Sequence, residues 1–178
     1  WNTRNGYSYN GGSWDTEAAY QVNTANQIYH NQLNIELKLG AGFPFAYSSN
    51  EAAIEGGADF LHSDCRGYGG SNNNFLNKLG EWIVGTADRD GMDGKANNTD
   101  VVSTHLLTGC NPSGYGSVGL AWVGTLCNGA YASGVDHMNS GWATYAHELG
   151  HNFGGGHSFE DGQGQTGGIM DYGDGKLD

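Results

Sequence analysis

The sequence predicts an α/β fold built as one domain spanning residues 1–178, and three observations carry that reading. Segments with apolar residues at helical spacing alternate with short strand-like runs, the pattern of helices packed on a sheet. The chain has 178 residues, the size of one domain, and neither a linker nor an internal repeat divides it. Aromatic residues make up 12%, so the 32 glycines belong to a packed fold with many turns rather than to low-complexity disorder.

The elements follow in order. Residues 1–13 are polar and rich in Gly and Asn, and read as a loop or a poorly formed strand. The start, Trp1-Asn2-Thr3-Arg4, has neither an initiator Met nor an apolar signal region, as expected of a processed or trimmed chain. Asp15-Thr16-Glu17 gives a helix an acidic first turn. Ala18, Val22, Ala25, Tyr29 and Leu33 then form one stripe at helical spacing. Residues 34–39 alternate polar with apolar and predict a strand ended by Gly40 and Gly42. Residues 51–61 suit a short helix and 67–74 a loop. Phe75, Leu76, Leu79, Trp82 and Ile83 make a second amphipathic helix starting near Asn72–Asn74. A polar loop over 88–100 leads to a strand at 101–107, a loop at 109–116 and a strand at 118–123. Residues 139–152 predict a helix, and the remainder is Gly-rich loop.

Charge narrows the function. Lys and Arg number 7 against 19 Asp and Glu, a formal net charge of -12 at pH 7. Such a surface repels phosphate backbones and anionic membranes, which argues against nucleic-acid binding and polybasic anchoring. No run of apolar residues is long enough to span a bilayer. Cys65, Cys110 and Cys127 form no CxxC pair, so a thiolate zinc knuckle has no support. An odd count allows one disulfide and leaves a thiol over. The sequon at Asn97 is a pattern that chance supplies often and adds little.

The decisive segment runs from His147 to His157: His-Glu-Leu-Gly-His-Asn-Phe-Gly-Gly-Gly-His. His147 and His151 are four apart, so on a helix they share one face and can both reach one zinc ion. Glu148 can reach a water bound there, where a general base is needed. A helix cannot bring His157 to the same ion, so the chain must turn sharply. Gly154 is where it can, because glycine tolerates positive φ. Three neutral histidines leave a fourth position open, as catalytic zinc requires. Histidines satisfying ordinary surface hydrogen bonds are the bland alternative. Against it, five such matches arise by chance on the order of once in ten thousand sequences of this composition. Downstream, Met170 in Gly168-Ile169-Met170-Asp171-Tyr172 can lay its thioether beneath the imidazoles; alone it would read as core filler.

His147–His157 with Met170 resembles the metzincin zinc endopeptidases, and within them the adamalysin/reprolysin (ADAM-type) family. The likeness spans residues 16–172 and is strongest over 101–157. Residues 118–127 resemble the family's cleft-edge strand and following cysteine, 105–109 its third strand, and 26–39 its first helix and second strand. The resemblance implies an α+β zincin-like fold: a twisted, mostly parallel sheet with an antiparallel edge strand, an active-site helix and a Met-turn. It also implies a protein or peptide substrate lying extended along Gly119, Leu120, Ala121, Trp122 and Val123. Four features depart from the family. Ser158 stands where Asp is usual, as in matrixins. Tyr172 follows the Met as in astacins or serralysins, which makes it a candidate fifth ligand or oxyanion donor. The short stretch from His157 to Met170 weighs against that role. An apolar first strand is absent or hidden in residues 1–13. The chain ends at Asp178, before the family's C-terminal helix and the cysteine that would pair with Cys127. The resemblance therefore implies truncation or cleavage, with a Cys65–Cys110 bridge remaining.

The expected function is a secreted, monomeric endopeptidase with one zinc ion and Glu148 as base. A zinc-stabilised binding or adhesion module and an inactive protease fragment are the alternatives; retention of Glu148 favours the enzyme. Asp88, Asp90 and Asp93 form a candidate calcium loop. It lacks the closing Glu and places Met92 in a ligand slot, so an exposed acidic turn is the favoured reading. Asp171, Asp174 and Asp178 read as a solvated acidic tail. His30, His62, His105 and His137 lack helical pairing with an acid and read as structural. Trp1, Tyr7, Tyr9 and Trp14 could bind a glycan or peptide, but packing is the favoured reading.

Overall fold

A computed structural model describes residues 14–40, 72–85, 101–108, 118–137 and 140–172. They contain helices α1 (Trp14–Leu33), α2 (Asn72–Gly85) and α3 (Trp142–Asn152), and a 3-10 turn at Gly129–Tyr131. Three strands accompany them: β1 (Thr104–Thr108), β2 (Gly119–Ala121) and β3 (Ser133–His137). This is an α+β fold, as expected. The expected helix at 51–61, the acidic loop with Asp88, Asp90 and Asp93, Cys65, Cys110, His62 and residues 1–13 lie outside the described residues.

Helix α1 follows its stripe. Asp15 and Glu17 place negative charge in the first turn, where the exposed backbone N–H groups favour it. Ala18, Val22, Ala25 and Tyr29 are buried. Leu33 is not: it is 58% exposed, because the chain leaves the helix at Asn34, whose φ is 55°. The strand expected over 34–39 does not form among the described residues. Its alternation survives, since Ile35 and Leu37 pack against the core cluster of Ala25, Tyr29, Ala146 and Leu149. The N–H of Leu37 goes to the Asn26 side-chain oxygen at 2.6 Å rather than to a neighbouring strand. Helix α2 buries Leu76, Leu79, Trp82 and Ile83 of the predicted apolar face; the Phe75 side chain lies outside the description.

The sheet runs β1-β3-β2. β3 is parallel to β1, pairing Thr104 with Ser133 and Thr108 with His137. β2 is antiparallel to β3, pairing Gly119 with Asp136 and Ala121 with Gly134. The antiparallel edge is therefore where it was expected, although the strand is shorter than 118–123. The central strand was not legible. Ser133-Gly134-Val135-Asp136-His137 holds one large aliphatic residue and a glycine, yet Ser133 to Asp136 are buried. Its register comes from partners on both sides and not from its own composition.

Helix α3 packs on β2 and β3, and α1 packs on α3. The Tyr29 hydroxyl donates to the Ala146 carbonyl at 2.8 Å, tying the two helices together. Ala146 and Leu149 supply the apolar side of α3, with Trp142 and Tyr145 packed against the same cluster. No described helix is long and apolar enough to cross a membrane.

Candidate active site

Helix α3 places His147 and His151 one turn apart, with ring centroids 4.7 Å apart. The helix ends at Asn152. Gly154 then adopts φ +99°, which a residue with a Cβ rarely accepts, and the Gly155 N–H bonds back to the Gly150 carbonyl at 2.9 Å. The turn predicted at Gly154 is present. A second loop closes the same helix end: Gly124 N–H donates to the His151 carbonyl at 2.8 Å and Thr125 N–H to that of Asn152 at 3.0 Å.

The turn returns His157 to the other two rings. One ring nitrogen from each of His147, His151 and His157 lies within 4.8 Å of the others. Nδ1 of His147 donates to the Ile169 carbonyl at 2.6 Å and Nδ1 of His151 to the Gly155 carbonyl at 2.7 Å. With the proton on Nδ1, each ring presents a bare Nε2, the form a metal ligand needs. Nε2 of His151 and Nε2 of His157 are 3.1 Å apart. Two nitrogens each about 2.1 Å from one tetrahedral zinc ion would be separated by roughly 3.4 Å, so the donor set fits that ion. Burial holds the His147 pKa below its usual value, with the neighbouring imidazoles adding to the effect and the Ile169 carbonyl opposing it. Burial and then His151 lower that of His157. Both shifts favour the neutral ring.

Glu148 is buried beside this cluster, with 5% exposure. Its side chain lies over Gly119 of β2. A Cβ on Gly119 would sit 2.7 Å from Glu148 Cγ and 2.8 Å from Cδ, so a side chain there would displace the Glu148 carboxyl. Oε2 of Glu148 is buried and has no hydrogen-bond partner. Burial, then the Asp136 charge, pushes the carboxyl pKa up to about 9. A cation held by the three histidines would act in the opposite direction.

Met170 lies beneath the helix. A Cβ at Gly150 would collide with its thioether sulfur, and one at Gly155 would lie 3.4 Å from its terminal methyl. The Ser158 N–H donates to the Met170 carbonyl at 3.0 Å, tying the segment after His157 to the Met-turn. Asp171 is not part of a solvated tail. It is 5% exposed, and its carboxylate accepts N–H bonds from Gly164 at 2.7 Å, Gly167 at 2.9 Å and Tyr172 at 2.7 Å. Burial would raise its pKa, but these backbone donors outweigh it and hold the pKa below the usual carboxylate value. Asp174 and Asp178 lie outside the described residues.

Tyr172 stands at the cluster. Its ring is 4.6 Å from that of His157 and 5.8 Å from that of His147. Burial, then Glu148, raises the phenol pKa. Phe159, which sequence reasoning missed, stacks on His157 at 4.9 Å and meets Tyr172 at 5.1 Å. On the substrate-edge segment, Gly119, Leu120 and Ala121 form the strand, and Trp122 and Val123 lie beyond it. Gly124, at φ +69°, turns the chain there; Val123 is 58% exposed. β2 pairs with β3 and with no other described strand.

His105, read as structural, lies on β1. It pairs with an acid, across strands: Nδ1 lies 2.7 Å from Asp136 Oδ2. Neither Asp136 nor its partner carries a local sequence signal, because parallel pairing of β1 with β3 brings them together. Cys127 is exposed.

A family model for metallo-peptidase family M12, of the reprolysin type, matches residues 3–174. No curated protein sequence matches the chain. The family consists of zinc metallopeptidases, which act on peptide or protein substrates. Matched over nearly its whole length, the chain belongs to metallo-peptidase family M12, as a reprolysin-type metzincin catalytic domain.

Proposed function

We propose that this chain is a secreted, monomeric zinc endopeptidase in which His147, His151 and His157 hold one zinc ion and Glu148 is the general base. The convergence of three ring nitrogens within 4.8 Å is the observation that carries it. Zinc, when bound, supplies Lewis-acid activation of water and of the scissile carbonyl. Glu148 takes a proton from the attacking water and passes it to the leaving amine. Its buried, unpartnered Oε2 supports this role, since the partner is the reacting water. The outer edge of β2 pairs with an extended substrate through backbone hydrogen bonds, with Gly119, Leu120 and Ala121 in the strand. The Tyr172 ring, 4.6 Å from that of His157, supports a role for its hydroxyl as a donor to the developing oxyanion. Secretion and the monomeric state are drawn from the resemblance to adamalysins. Zinc content measured alongside hydrolysis of a quenched peptide, with and without a chelator, tests the reading. A non-catalytic binding module would hold zinc and cleave nothing.

A further inference from the structure

The face of the sheet beneath α3 carries a buried polar network that the peptidase reading does not use. Asn152, the residue after the second histidine of the motif, is its hub and is 1% exposed. Its side-chain nitrogen donates to the Trp122 carbonyl at 2.8 Å and the Ser133 carbonyl at 3.1 Å. Both partners can only accept, so the orientation of the amide is fixed. Its oxygen accepts from Ser103 Oγ and faces His105 Nε2 at 3.2 Å. All four hydrogen-bonding positions of the amide are therefore used. They tie the end of α3 to the entry of β1, the exit of β2 and the start of β3.

His105 completes the chain. An amide oxygen cannot donate, so Nε2 must carry the hydrogen in the bond to Asn152. The other nitrogen, Nδ1, is 2.7 Å from Asp136 Oδ2, in a pair whose side chains are 6% and 1% exposed. Gly134, opposite His105 in the register, has no side chain to obstruct the ring; a Cβ there would lie 3.1 Å from Nε2. Tyr145 of α3 covers the ring edge-on, with centroids 5.0 Å apart. The order Asp136–His105–Asn152 thus runs from the central strand to the residue beside His151.

We propose that His105 and Asp136 are positioning residues for the active-site helix, acting through Asn152 to fix its last turn and with it the zinc ligand His151. Asp136 orients the ring; the ring supplies, beside Ser103, the second donor to the Asn152 oxygen. The polar network does what an apolar contact would not: it specifies one register of helix against sheet. A ligand helix that could slide by a fraction of an ångström would hold zinc less tightly and present Glu148 less accurately. The kinetic part of this inference rests on the peptidase reading; the rest does not.

The test uses the whole chain. In 15N-labelled wild type, NMR should show a slowly exchanging proton on Nε2 of His105. His105→Phe removes both hydrogen bonds and leaves Asp136 without its partner. It should weaken zinc binding, measured against a competing chelator, by about tenfold. It should lower kcat by a similar factor with KM within about twofold. Asp136→Asn should keep zinc affinity and kcat within about threefold of wild type, because an amide can donate to Nδ1 while Nε2–H still faces Asn152. A bare Nε2 on His105, or a folded His105→Phe with wild-type zinc affinity and kcat, would overturn the proposal. The NMR measurement decides even if His105→Phe does not fold. A wild type that binds zinc but cleaves no peptide would sink the peptidase reading and leave the NMR and zinc results to judge the positioning pair.

Discussion

The thioether of Met170 rests against the backbone of Gly150, in the middle of the active-site helix between the two histidines. The contact explains two motif residues at once. Gly150 must lack a side chain for the Met-turn to come this close, and Met170 must be long and unbranched to reach. Tyr29 closes the remaining space, its hydroxyl 3.3 Å from where a Gly150 Cβ would be. Gly150→Ala therefore overpacks a confined site. Such insertions cost roughly 1–3 kcal/mol. Thermal unfolding should show a lower Tm, and zinc affinity should fall as the floor beneath the ligands is displaced. A Tm and zinc affinity equal to wild type would show that the space is not confined.

Gly119 is the corresponding constraint on the base. Because Glu148 lies over its Cα, Gly119→Ala must displace the carboxyl. Positioned acid–base catalysis contributes about 10²–10⁴-fold, so kcat should fall by about 100-fold or more. The nearest atoms to a Cβ at this position all belong to Glu148, so bound zinc should remain at one ion per chain. Steady-state kinetics with elemental analysis on the same sample reads both. Unchanged kcat would remove Glu148 from the reaction.

Asp171 gives the fold a pH dependence whose sign is fixed by its surroundings. Three backbone N–H groups hold its pKa below the ordinary carboxylate value in the folded state. A depressed folded pKa stabilises above the unfolded pKa, and that stabilisation is lost as pH falls through the folded value. The wild type should melt above Asp171→Asn at pH 7, and the gap should shrink as pH drops below about 4. Melting curves for both proteins between neutral pH and pH 2 check this. A gap independent of pH would mean that the carboxylate charge does not hold the Met-turn.

Much of the site was legible because its determinants are local. Spacing alone placed His147 and His151 on one helix face, and the turn at Gly154 followed from the need to bring His157 back. The stripes of α1 and α2 were readable for the same reason, up to Leu33, where a left-handed residue at Asn34 stopped the helix. What was not legible is non-local. β3 has no periodicity to betray it, yet it is the middle one of the three described strands and carries Asp136. The His105–Asp136 pair exists through strand register, not spacing. Asp171 looked like one of a run of surface acids, because nothing in a sequence shows that three backbone donors converge on it.

The most direct measurement compares wild type with Glu148→Ala at matched zinc content, on one quenched peptide. Both proteins should bind one zinc ion per chain, and the variant should turn over at least about 100-fold more slowly. Chelation should abolish the wild-type rate. Cleavage by Glu148→Ala at the wild-type rate, or a wild-type rate indifferent to the chelator, would contradict a zinc peptidase built on His147, His151, His157 and Glu148.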